Sequence, residues 1–152
     1  VTPLLVLAVG NPSRGDDALG PLLLDRLRSE AGDGTHGVEW LDDYQLQVEH
    51  ALDLRGRRAV LFVDAARPGT VGGVRLSRIG PEAGAGPLSH ALRPQAVLGV
   101  ACRLDGGAPP AWLLAIEGEG FGLGEPPSDR ALHRLQVAQR SARGWLAAHG
   151  VR

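Results

Sequence analysis

Residues 4–10 form an uninterrupted apolar run, and the polar stretch 11–17 follows it directly. A run without polar alternation predicts a central strand covered on both faces. Residues 18–28 then place Leu19, Leu22, Leu23 and Leu27 along one face of a helix. Residues 38–41 predict a short second strand. Residues 45–54 predict a second helix, with Leu46, Ala51, Leu52 and Leu54 turned inward. A β-branched and aromatic run, 59–63, predicts a third strand ending at Asp64. Residues 74–79 alternate as Val-Arg-Leu-Ser-Arg-Ile, the period of a half-exposed strand. Beyond a Gly/Pro-rich loop at 80–87, residues 94–104 predict a helix with Pro94 in its tolerant first turn. Residues 112–116 predict the last buried strand. Ser128 is placed to N-cap a long final helix reaching His149, whose inward face carries Leu132, Leu135, Val137, Ala138, Ala142, Trp145 and Leu146.

Strands that alternate with helices predict one α/β domain over residues 1–152, with a mainly parallel sheet and helices on both faces. The link between the third and fourth strands, about residues 65–73, is too short for a helical crossover. The fourth strand is therefore expected to run antiparallel, at an edge. Neither an internal repeat nor a dividing linker interrupts the pattern.

Composition changes this picture little. A chain of 152 residues with 43% hydrophobic content and a net charge of −1 fits an ordinary soluble domain. That charge supplies no electrostatic reason for a nucleic-acid or anionic-membrane partner. All 16 basic residues are Arg. The lone Cys102 excludes an internal disulfide and is expected as a buried structural thiol. The first apolar run is too short to span a bilayer and lacks a basic leader, so the cytoplasm is the expected compartment.

In open parallel sheets, ligands bind beyond the carboxyl ends of the strands. That rule selects Asp16 and Asp17 after the first strand, Asp42 and Asp43 after the second, and Asp64 at the end of the third. Glu117 and Glu119 follow the last strand, and His90 lies on a loop able to overhang the same edge. Carboxylates with an imidazole suit a divalent borderline metal. Asp16 or Asp17 could instead cap the first helix, or the two could divide these roles. Asp64, at the end of an apolar strand, needs a partner. His36, His133 and His149 are expected on the surface, and Glu49 and His50 exposed on the second helix.

Several chemistries are excluded. The turn 10–15 lacks a dinucleotide fingerprint, and no Lys exists to complete a phosphate loop. There is no His-Glu-x-x-His helix and no Gly-x-Ser-x-Gly elbow. Ser89 beside His90 is weak evidence for a serine nucleophile, because sequence neighbours rarely present the required geometry.

Residues 7–21, Leu-Ala-Val-Gly-Asn-Pro-Ser-Arg-Gly-Asp-Asp-Ala-Leu-Gly-Pro, resemble the opening signature of the hydrogenase maturation proteases. Residues 60–65 with Pro68-Gly69 resemble that family's second motif, and Ser89-His90 before an apolar helix its third. Residues 114–118, then Gly124-Glu125 and Ser128, are similar to its last strand and helix entry. The resemblance implies a three-layer sandwich around a twisted five-stranded sheet with one antiparallel edge strand. It also implies an endopeptidase, aspartyl-type or metal-dependent, that trims the C-terminal extension of a nickel-iron hydrogenase large-subunit precursor after nickel insertion. The family's site falls on Asp17, Asp64 and His90, as both metal contacts and catalytic residues. Nickel would be carried by the substrate, with zinc or cadmium able to occupy the site in vitro. A monomer is expected.

One departure stands out. Where many members carry Asp-Gly-Gly after the second strand, this chain has Asp42-Asp43-Tyr44-Gln45-Leu46 and then Glu49-His50. This leaves the substrate subgroup open, as well as the roles of Asp42, Glu49 and His50. Two other readings also stay open: a non-catalytic nickel-binding or docking factor for hydrogenase assembly, and a nucleotide-binding α/β domain.

Overall fold

A computed structural model of the chain describes residues 3–32, 37–83 and 92–151. Five strands form one sheet in the order β2-β1-β3-β5-β4. They are β1 (Leu4–Val9), β2 (Val38–Asp43), β3 (Val60–Ala66), β4 (Val74–Ile79) and β5 (Ala111–Glu117). All neighbours are parallel except β4 and β5, which pair antiparallel from Val74↔Ile116 to Ile79↔Ala111. The short link before β4 leaves no room for a crossover, and β4 occupies an edge as its alternation requires.

Every residue of β1 is buried, and the two faces of the strand serve two cores. Leu4, Val6 and Ala8 pack with Leu61 and Val63 beneath helices α1 (Leu19–Ala31) and α4 (Asp129–Ala148). Leu5, Leu7 and Val9 pack with Val60 and Phe62 beneath α2 (His50–Asp53) and α3 (Pro94–Asp105). A strand buried on both sides cannot show polar alternation, which is why its signal was a plain apolar run.

The helices differ in detail from their sequence pattern. A short 3-10 turn, Gly15–Ala18, precedes α1. Only His50–Asp53 of the expected second helix is α-helical. Leu46, Ala51 and Leu54 are buried as expected, whereas Leu52 is exposed, because a single turn has too narrow an inner face to include it. Val137 on α4 is likewise exposed, and Cys102 is half-buried rather than sealed in the core. Ser128 caps α4 as predicted, its Oγ accepting from Ala131 N at 3.2 Å. His133 is exposed, but His149 is half-buried and lies against Trp112 and Trp145, ring centroids 5.0 and 4.5 Å away. Among the described residues, no helix is long and apolar enough to cross a membrane.

Candidate functional site

The chain leaves β1 toward β2 on one side and returns to place β3 on the other, so β1 and β3 flank the point where strand order reverses. Crevices beyond the carboxyl ends of strands at such a point are the natural ligand sites of this architecture. Two glycines bring the first turn down onto it. A Cβ on Gly10 would sit 2.0 Å from the Asp17 carbonyl oxygen, and one on Gly20 would sit 2.5 Å from that of Val9 and 3.1 Å from that of Val63. The start of α1 therefore rests directly on the ends of β1 and β3, and only residues without a side chain permit it.

That close approach sends the adjacent aspartates to different tasks. Asp16 is fully buried. Its carboxylate accepts from Glu119 N (2.6 Å), Ser128 N (2.6 Å), Ser128 Oγ (2.7 Å) and Gly120 N (3.3 Å). Burial pushes its pKa up, but these four donors outweigh it and hold the group below the ordinary carboxylate range. Asp16 therefore supports the N-terminus of α4, the last helix. Neither aspartate caps α1, whose N-cap has no side-chain hydrogen bond. Asp17 is half-buried, with Oδ2 accepting from Asn11 N at 2.7 Å. This bond closes the turn on itself and holds the carboxylate at the rim of the crevice.

Asp64 lies within β3, one residue beyond the last pair with β1, Ala8↔Val63. Asp17 and Asp64 line one open cleft of about 720 Å³, together with Arg14, Ala65, Arg67, Pro68 and Phe121. Burial pushes the Asp64 carboxyl up, Asp17's negative charge adds to the rise, and the Ala65 amide only partly offsets them, leaving its pKa at about 7. Two crowded carboxylates, one kept protonated near neutrality by burial and by the other's charge, are a donor set that a divalent cation would relieve. Among the described residues no group of three or more His, Cys, Asp or Glu side chains could hold a metal ion. His90, Ser89 and His36 lie outside the described residues.

This coupling carries a pH signature. A divalent ion held by this carboxylate pair would need Asp64 ionised, so the affinity of any such ion should rise as pH increases through 7 and level off above it. Titration calorimetry at pH 6 and pH 8 measures this, with Asp17→Asn as the variant expected to bind poorly at both. An affinity that does not change over this interval would remove Asp64 from the binding set.

Of the other edge carboxylates, Glu117, Glu119 and Asp43 are engaged elsewhere. Glu117 is buried, accepts from Val71 N at 3.3 Å and lies 3.4 Å from the Arg134 guanidinium. The Val71 amide contributes most to holding its pKa below the usual range. Glu119 pairs with Arg130 at 3.1 Å. Asp42 is exposed. His50, expected on the surface, is buried. Its Nδ1 accepts from Gln47 N at 2.8 Å, which leaves Nε2 to face Asp43 Oδ2 at 3.3 Å. This pair fastens the turn of α2 to the end of β2. Arg14, Arg67 and Phe121 were not among the sequence candidates, although Arg14 lies inside the first motif and Arg67 follows Asp64 closely.

Several solved structures share this fold. A [NiFe] hydrogenase maturation protease HycI from Thermococcus kodakarensis KOD1 is 25% identical, with a TM-score of 0.71 over 93% of this chain and 91% of that one. The hydrogenase maturating endopeptidase HybD from E. coli is 22% identical, with a TM-score of 0.78 over 99% and 96%. The endopeptidase HycI from Escherichia coli is 21% identical, with a TM-score of 0.68 over 95% and 91%. No family model matches the sequence, and no curated protein matches it.

Proposed function

We infer that this chain is a hydrogenase maturation protease, an endopeptidase that removes the C-terminal extension of a nickel-iron hydrogenase large-subunit precursor once nickel has been inserted. The observation that carries the reading is the pairing of Asp17 with Asp64 in an open cleft at the strand-order reversal, within a fold shared with solved proteases of that name.

In this reading nickel arrives as part of the substrate. Asp17, held through Oδ2, offers its other oxygen to the metal, and Asp64 offers its carboxylate after losing a proton. His90 adds an imidazole. A precursor without nickel brings no cation to draw the proton off Asp64 and gains nothing from it, which ties cutting to metal insertion. Hydrolysis then adds water across the scissile bond: its oxygen joins the carbonyl carbon, the C–N bond breaks, and the amine leaves with a proton.

The test is incubation with nickel-loaded and nickel-free large-subunit precursor, followed by precursor mass. Shortening of the nickel-loaded form alone is expected. A His90→Ala variant should melt like the parent yet process poorly. Binding without shortening would overturn the protease reading in favour of a docking factor.

A further inference from the structure

Several arginines of this chain are committed to carboxylates. Arg55 faces Asp105 at 2.9 Å, Arg130 faces Glu119 at 3.1 Å, and Arg134 faces Glu117 at 3.4 Å. Arg14 and Arg67 differ. Both are exposed, both line the cleft beside Asp17 and Asp64, and neither forms an ion pair among the described residues.

Their backbones are nevertheless firmly held. Arg14 N donates to Asn11 O at 3.0 Å, and the turn around it is tied to the β5–α4 loop by Gly15 N to Glu125 O (3.0 Å) and Gly124 N to Ser13 O (2.7 Å). Arg67 O accepts from Thr70 Oγ1 at 2.6 Å and from Thr70 N at 3.3 Å. Two anchored residues, each without an ion pair among the described residues, thus line one cavity. A guanidinium fork matches the paired oxygens of a carboxylate and recognises them bidentately.

We propose that Arg14 and Arg67 form a carboxylate-binding subsite of the cleft, which docks an acidic stretch of the peptide substrate. The proposal rests on the endopeptidase reading and supplies a substrate preference for it. A peptide suits the charge layout better than a polyphosphate does. A peptide can set its carboxylates against the arginines while its neutral backbone passes Asp17 and Asp64. A polyphosphate would crowd its charge against both aspartates. Phe121 adds an apolar surface to the same cleft.

Fluorescence anisotropy with labelled synthetic peptides tests the subsite. The set comprises an acidic peptide with a free C-terminus, its C-terminally amidated form, and a copy with Asn and Gln in place of Asp and Glu. The acidic peptide should bind about tenfold more weakly to Arg14→Gln or Arg67→Gln, and more weakly still to the double variant. Arg140→Gln, an exposed arginine on α4, should bind like the parent. Loss of binding on amidation would assign the carboxylate to the chain terminus, and loss with the Asn/Gln copy to side chains; both support the subsite. Equal binding by parent and double variant, or equal binding of all three peptides, would overturn it, as would displacement of the acidic peptide by ADP. With nickel-loaded precursor, the double variant should show a raised KM with kcat little changed. If the parent fails to cut that precursor, the endopeptidase reading fails while the peptide titrations still judge the subsite.

Discussion

Asp64→Asn is expected to lower processing of nickel-loaded precursor on the order of 10²–10³-fold while leaving the protein at least as stable as the parent at pH 8. Loss of one charged partner from a partly desolvated contact costs about 3–4 kcal/mol, which sets that range. The stability has the opposite sign because the native site disfavours the ionised group. The folded pKa of Asp64 is about 7, against an ordinary 3.8, so between these values the native state binds more protons than the unfolded chain. Stability from this group is fully present below pH 4 and lost as pH rises through 7. Asparagine keeps the shape and removes the charge, so the fall in stability between pH 5 and pH 8 should flatten. Precursor cleavage and thermal melts at these pH values measure both effects. Processing at the parental rate would exclude Asp64 from the site. A lower melting temperature at pH 8 would contradict the crowding of Asp17 and Asp64.

Asp16→Ala, one position from the cleft residue, is expected to fail for another reason. It removes a buried acceptor from Glu119 N, Ser128 N and Ser128 Oγ. These donors are part-buried, and leaving each unsatisfied costs about 1 kcal/mol, so a total loss of about 3 kcal/mol is expected. In a domain of this size that corresponds to a drop of roughly 6–12 °C in Tm. The folded pKa of Asp16 lies below its ordinary value, so its stabilisation is present above the unfolded pKa and lost as pH falls through the folded one. Thermal unfolding followed by circular dichroism measures the shift. A change of less than about 2 °C would show that the β5–α4 loop does not depend on this carboxylate. Asp16→Asn, which keeps one acceptor oxygen, should fall between the two.

The contrast between these neighbours shows where local pattern stops. The Asp-Asp pair was visible as a candidate site, and a division of roles between its members could be foreseen. The structural member was expected to cap the first helix. Its partner is instead Ser128, 112 residues later in the chain. His50 shows the same limit: its helical context suggested exposure, but the neighbouring segment forms only one helical turn and turns the ring toward Asp43. Arg14 lies inside the first motif and Arg67 just after Asp64, but local sequence does not show that the two share a cleft. Their distinction is that the fold brings both to one cleft and leaves both without a carboxylate partner among the described residues.

Short-range physics determined much of this protein. Apolar runs marked the strands covered on both faces, alternation marked the edge strand, and the brevity of the link before β4 set its direction. These depend on burial period and chain reach, which neighbouring residues specify. The strand-edge rule reached Asp17 and Asp64 in the same way. Only the tertiary structure decided which aspartate faces the cleft, why Asp64 holds its proton to about pH 7, and that Arg14 and Arg67 share the cleft with no ion pair among the described residues. Those properties arise from desolvation and from charges contributed by residues distant in sequence, so they exist only once β1 and β3 lie side by side.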